Sequence, residues 1–199
     1  MALHANALIQ DLAELKDVLR VKSSEDDIDL ERLVNAMTIT FEAEAGRPLR
    51  KRTLTDFRLD GTGTNKLYLP FVPVSNVTKV QIRYDFNDAV YRTITDTSKF
   101  VLKSGDLGLL QLVDDWFMRG DRNVLVTMDV GFESTDMEFA TAVDLMYMQI
   151  AHSFRMVKNG ELGLTNKSYS DGSVSFFPAS RLLKEVADGL LSIKDWAGN

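Results

Sequence analysis

The hydrophobic period of this chain changes twice, and that change constrains the fold more than any single motif. From Lys22 to Arg50 apolar residues recur at helical spacing. From Lys51 to Phe132 they alternate, and Gly, Asp, Asn and Thr interrupt them every several residues. From Thr135 the helical spacing returns. A period of about 3.6 puts apolar side chains on one face of a helix, and a period of about 2 puts them on one face of a strand. The two patterns predict an α+β protein, a small helical bundle interrupted by an inserted antiparallel β domain. They assign 1–50 and 133–199 to a discontinuous helical domain and 51–132 to the β domain.

The segment KSSEDDIDLERLVNAMTITFEAEAGRPLR predicts the best-defined helix. Ser23 or Ser24 is placed to cap it, and Glu25, Asp26 and Asp27 sit where the helix dipole favours negative charge. Leu30, Leu33, Met37 and Phe41 make its stripe, and Gly46 with Pro48 ends it. A shorter helix is predicted over Leu8–Val21, with Asp11 as N-cap and Leu8, Leu12, Leu15 and Leu19 as its stripe. A third begins at Thr135 with a Thr135/Glu138 capping box. It carries Phe139, Val143, Met146, Ile150, Phe154 and Val157 on one side. Leu145, Tyr147 and Met148 make its other side apolar, so it is expected to be covered on more than one face.

Between these helices VTKVQIRYD, VYRTI, KFVLK, LLQLV and NVLVTMDV read as strands. Turns are expected at Asp85–Asp88, Asp96–Lys99, Gly105–Gly108 and Arg119–Arg122. Pro70 and Pro73 belong to an edge or a loop. Glu161–Pro178 fits a hairpin about Asp171-Gly172 or a flexible arm. Ser180–Trp196 is the last predicted helix, with Gly189 weakening it by up to about 1 kcal/mol.

The chain contains no cysteine, which excludes disulfides, thiolate nucleophiles and cysteine-ligated zinc. Its net charge of −6 argues against a general nucleic-acid binder, which needs a basic surface. The opening MALHANALIQDL lacks a basic start and a long apolar run, so no secretory signal is expected there. No stretch approaches the roughly 18 apolar residues of a membrane span. His4 and His152 lack the spacing of a metal site. Asp26-Asp27 and Asp114-Asp115 are read as capping or solvated carboxylates. GTGTN at Gly61–Asn65 lacks the ending of a phosphate loop and reads as a turn. No catalytic residue, metal site or cofactor site is assigned. The densest cationic run is Arg47, Arg50, Lys51 and Arg52. It reads as a solvated junction between helix and β domain, or as a contact to nucleic acid or to an acidic patch on another copy.

Several of these segments together resemble a known family. DLAELKDVLRV, then SSEDDIDLERLVNAMTITFEAEAGRPL, resembles the opening of the head–tail connector (adaptor, or neck) proteins of tailed phages. LYLPFVPVSNVTKV resembles that family's Pro-containing strand segment, and VLVTMDVGF its strand ending in Gly-aromatic before the second long helix. The similarity runs along nearly the whole chain, in the long form with an inserted β domain. Order and spacing carry it, since each motif alone is short and apolar. The resemblance implies a structural virion protein at the neck between head and tail, present in the host cytoplasm during assembly. It implies a ring, with twelve copies expected, beneath the portal protein. The ring would join the portal to a stopper or tail protein, and DNA would pass through its lumen.

In that context the last helix presents more apolar surface than one stripe needs. Leu183, Val186, Leu190, Ile193 and Trp196 are then either a docking face for the portal or a neighbouring subunit, or the final piece of the chain's own bundle. A reading from another class makes the β domain a ligand- or carbohydrate-binding module, with Trp116, Phe117, Tyr84 and Tyr91 as an apolar platform.

Overall fold

The computed structural model describes residues 2–84, 91–158, 166–169, 172–175 and 182–195. The expected turn at Asp85–Asp88 lies outside them. The fold is α+β, with helices and antiparallel sheets. The chain divides into two compact units, Met1–Gly46 with Thr135–Lys194, and Arg47–Ser134.

In the helical unit, α1 spans Leu12–Leu19, α2 Asp27–Ala45, α3 Met137–Lys158 and α4 Lys184–Asp195. Asp11 caps α1 as its sequence predicts, its carboxylate accepting from the backbone N–H of Ala13 at 2.8 Å and of Glu14 at 3.4 Å. The helix is shorter than its pattern. Leu8 and Ile9 are buried but precede it, and Arg20 ends it in the left-handed region at φ 57°. At the end of α2, Gly46 takes φ 68°, the conformation that glycine adopts without steric cost. The α2 stripe is turned from the expected one. Leu30, Val34, Thr38, Phe41 and Ala45 are buried, while Leu33 and Met37 lie half-buried beside them. Thr38 is tolerated there because its hydroxyl donates to the Val34 carbonyl and accepts from the Leu8 N–H.

The acidic start of α2 has partners besides the helix dipole. Asp27 pairs with Lys16 of α1 at 2.6 Å, and Asp26 with Lys158 at the end of α3 at 2.5 Å. Neither serine caps the helix: Asp26 holds the N-cap position without a side-chain bond to the helix backbone, and the Ser23 hydroxyl accepts from Glu25 N–H in the preceding turn. Helix α3 starts at Met137, two residues past Thr135. It packs against α1 and α2, and Leu145 on another side meets α4. The cover is incomplete: Met148 and Val157, both expected on apolar sides of α3, are exposed.

In the β unit, β1 (Arg52–Gly61), β7 (Gly120–Val130), β3 (Val74–Ile82) and β4 (Arg92–Ile94) form one antiparallel sheet in that order. A second sheet orders β2 (Lys66–Tyr68), β6 (Leu109–Leu112) and β5 (Phe100–Ser104). Both sheets give side chains to one core. Val80, Val124, Val126 and Met128 come from the first, and Leu67, Leu110 and Leu112 from the second, with Phe117 of the loop before β7. A short 3₁₀ turn, Thr97–Lys99, is capped by Asp96, whose carboxylate accepts from Ser98 N–H at 3.0 Å. The turn expected at Arg119–Arg122 is largely strand, since β7 already begins at Gly120. GTGTN forms a turn: Thr62 and Thr64 hydroxyls both donate to the Lys66 carbonyl. Two further strands, β8 (Asn166–Tyr169) and β9 (Gly172–Ser175), pair antiparallel, as a hairpin requires. No helix is long and apolar enough to cross a membrane among the described residues.

Candidate functional site

The last helix is where sequence reasoning leaves most open. Val186 and Leu190 are fully buried and Ile193 is 3% exposed. Leu183 is half-buried, and Trp196 lies outside the described residues. A Cβ added at Gly189 would stand 2.7 Å from Leu145 Cδ1, the far end of a flexible side chain, so α4 touches α3 at this point. The start of α4 is tied as well. Leu183 N–H donates to Oε1 of Gln149 at 2.9 Å, and the Gln149 amide donates to Ser153 Oγ at 3.3 Å. Gln149 is fully buried, and it satisfies a backbone donor that a helix N-terminus otherwise leaves open. Val186, Leu190 and Ile193 are thus buried within this one chain. Leu191, 42% exposed, is what α4 presents outward.

The cationic run is likewise engaged internally. Arg47 is only 9% exposed and donates from Nη1 to the Val72 carbonyl at 3.1 Å. Lys51 pairs with Glu133. Arg50 bridges Phe132, and Arg52, half-buried, opens β1 opposite Val130. Gly131, beside this junction, sits at φ 95°, with Arg50 O 2.6 Å from where a Cβ would stand.

The residues of the expected aromatic platform have different surroundings. Phe117 is fully buried in the β core. The Tyr91 ring lies 5.7 Å from the Arg83 guanidinium. Tyr84 instead joins a polar cluster. Its hydroxyl donates to Asp115 Oδ2 at 2.8 Å, and Arg92 Nη1 reaches the same oxygen at 3.1 Å. Burial, then the Asp115 carboxylate, pushes the Tyr84 hydroxyl above its ordinary pKa. Asp114, at φ 57°, begins the loop that leads to Trp116, whose indole is 61% exposed. Beside this loop lies a cavity of about 380 Å³. Ile94 and Val113 give it an apolar wall; Arg92, Lys99, Asp114, Asp115 and Ser98 give it polar groups.

His4 accepts from Asn6 N–H in the N-terminal turn, and His152 has a buried ring nitrogen without a hydrogen-bond partner. Among the described residues no three His, Cys, Asp or Glu side chains are grouped to hold a metal ion.

No protein-family profile matches the chain, and neither does any curated protein sequence. Solved structures do resemble it. A chain in the neck of a native gene transfer agent (GTA) particle, with C12 symmetry, aligns with a TM-score of 0.57 at 18% identity, over 98% of this chain and 91% of that one. A chain in the neck of an empty GTA particle, with C6 symmetry, aligns with a TM-score of 0.53 at 17% identity, over 92% and 87%. A chain in the virion of the native particle aligns with a TM-score of 0.52 at 19% identity, over 98% and 92%. At such identities the similarity is one of fold, and it runs along almost the entire chain.

Proposed function

We propose that this protein is a structural component of the neck of a tailed, phage-like particle. In this reading it is a head–tail connector that forms a ring beneath the portal protein and joins it to a stopper or tail protein. DNA passes through the lumen without sequence-specific binding, and no catalytic step is involved. The observation that carries the reading is the fold similarity to neck chains of GTA particles over 92–98% of this chain. It agrees with the motif order DLAELKDVLRV, LYLPFVPVSNVTKV and VLVTMDVGF, which resembles the head–tail connector family.

The physical logic is that of a closed ring. Head-to-tail contacts between identical copies close when the rotation between neighbours divides a full turn. Modest contacts repeated around a ring combine into a stable joint through effective concentration. Twelve copies is the expected number. A net charge of −6 suits a protein that DNA must slide past, and Arg47 and Lys51, already engaged, are not offered to a phosphate backbone. Contacts to a partner are assigned to surface outside the buried α4 stripe, including Leu191 and the segment that carries Trp196. The test is electron microscopy of the purified chain, alone and mixed with its portal. A twelve-fold ring, free or seated on the portal, is expected. A chain that stays monomeric in both samples refutes the proposal.

A further inference from the structure

We propose that the cleft between the 3₁₀ turn and the Val113–Trp116 loop binds a neutral pyranose sugar unit. Its charges argue first for what it excludes. Arg92 and Lys99 face Asp114 and Asp115, so the lining charges cancel. A phosphate or other anion meets two carboxylates, with the Asp96 carboxylate close behind Lys99. A metal cation meets an ammonium and a guanidinium, and the described residues gather no three-ligand cluster. A neutral ligand rich in groups that both donate and accept fits best.

The polar groups are free to serve it. Asp115 is already occupied by Tyr84, Arg92 and the Trp116 N–H. Neither the Lys99 ammonium nor the Asp114 carboxylate bonds another described side chain. One is a pure donor and the other a pure acceptor, so one sugar hydroxyl can satisfy each. Arg92 uses only Nη1 for Tyr84 and Asp115 and keeps further donors.

The apolar groups fit a sugar ring as well. Ile94 and the 41% exposed Val113 offer a small apolar wall to its C–H face. Trp116 follows Asp115 directly and leaves 61% of its surface in water, although indoles are on average largely buried. It does not line the cleft and serves as a fluorescent reporter next to Asp115 in the chain. At about 380 Å³ the cleft is near the small end of ligand sites, which suits one or two rings.

The test uses the full chain carrying Trp196→Phe, so that Trp116 is the sole indole. It is titrated with methyl glucoside, methyl galactoside, N-acetylglucosamine, maltotriose and chitotriose. Indole fluorescence and saturation-transfer NMR on the sugar are read together. Saturable binding by at least one sugar is expected. A response to a single ring identifies a chain end as the ligand, and a response to a trisaccharide alone identifies an internal unit. Asp114→Asn keeps a residue type that tolerates positive φ and is expected to weaken binding about tenfold, the effect of about 1.4 kcal/mol. The proposal is overturned if no sugar gives a saturation-transfer signal. It is equally overturned if the signal survives Asp114→Asn at full strength.

Discussion

Leu190 and Leu191 are chain neighbours with opposite surroundings, and substituting each by alanine measures what α4 is for. Leu190 is fully buried, whereas Leu191 is 42% exposed. Truncating a buried leucine removes transfer free energy and leaves a cavity, costing about 2–5 kcal/mol. A value of about 3 kcal/mol suits a terminal helix that can partly collapse, and for a chain of this size each kcal/mol lowers Tm by about 2–4 °C. Leu190→Ala is thus expected to melt about 6–12 °C below the parent chain. Leu191→Ala, on the outer face, is expected to change stability by no more than about 0.5 kcal/mol. The assay is far-UV circular dichroism at a dilution where the protein is monomeric, repeated at tenfold higher concentration to exclude association. Gln149→Leu provides an independent check. It leaves the Leu183 N–H without its acceptor, and burying an unpaired donor costs about 1–3 kcal/mol. If Leu190→Ala melts with the parent while ring formation or portal binding fails, α4 belongs to a partner and the packing argument is wrong.

Three further substitutions test the rest of the fold. Asn123 accepts from Gly61 N–H at 2.8 Å and donates to the carbonyls of Met118 at 2.7 Å and Arg83 at 3.3 Å. Asn123→Ala is expected to cost about 2–4 kcal/mol in urea unfolding, and a loss under about 1 kcal/mol would mean that water replaces the amide. Gly131→Ala forces a side chain onto φ 95° and against Arg50 O; a loss of about 2 kcal/mol or more is expected, and an unchanged urea midpoint would contradict it. Burial, then the Glu14 carboxylate, pushes the Tyr147 hydroxyl up to about 12. The native state therefore holds that proton more tightly than the unfolded chain. This contribution is complete below pH 10 and is lost as pH rises toward 12. Tyr147→Phe is expected to make the alkaline fall of Tm shallower, and an identical slope would refute the assignment.

The helices and central strands were legible because their patterns are regular. Gly46 marks the end of α2, and Asp11 the start of α1, through conformations and caps that few other residues supply. Strand β1 was hidden for a physical reason. Asp56 takes φ 52° at a register shift between Leu54 and Phe57, so the two apolar residues stand three apart and the alternation breaks. The true α2 stripe was missed because Thr38 is polar by type, yet both its hydrogen-bonding roles are met within the unit. Gln149 was passed over likewise. A lone glutamine among apolar residues gives no hint that it will hold the start of a helix remote in sequence. The cavity beside Trp116 needed coordinates altogether, since Arg92 and Asp115 are neighbours only after folding.

Four cations between Arg47 and Arg52 read either as a solvated junction between helix and β domain or as a contact to nucleic acid or to an acidic patch on another copy. Yet a chain passing from helix to sheet must turn sharply, and a turn leaves carbonyls without ladder partners. Arginine can serve them with several donors from one planar group, as Arg47 does at Val72 O. Lys51 reaches Glu133 across the place where the chain leaves the β unit. Such exposed pairs contribute about 0–1 kcal/mol each, so their value is chiefly geometric: they hold the outgoing and returning segments in register. A role facing another molecule would require Arg47 to give up its bond to the Val72 carbonyl and Lys51 its pairing with Glu133. The same reasoning applies to α4, where periodicity correctly predicted a helix with an apolar stripe. Periodicity says only that a stripe will be covered; in the folded chain Val186, Leu190 and Ile193 are buried without a second copy.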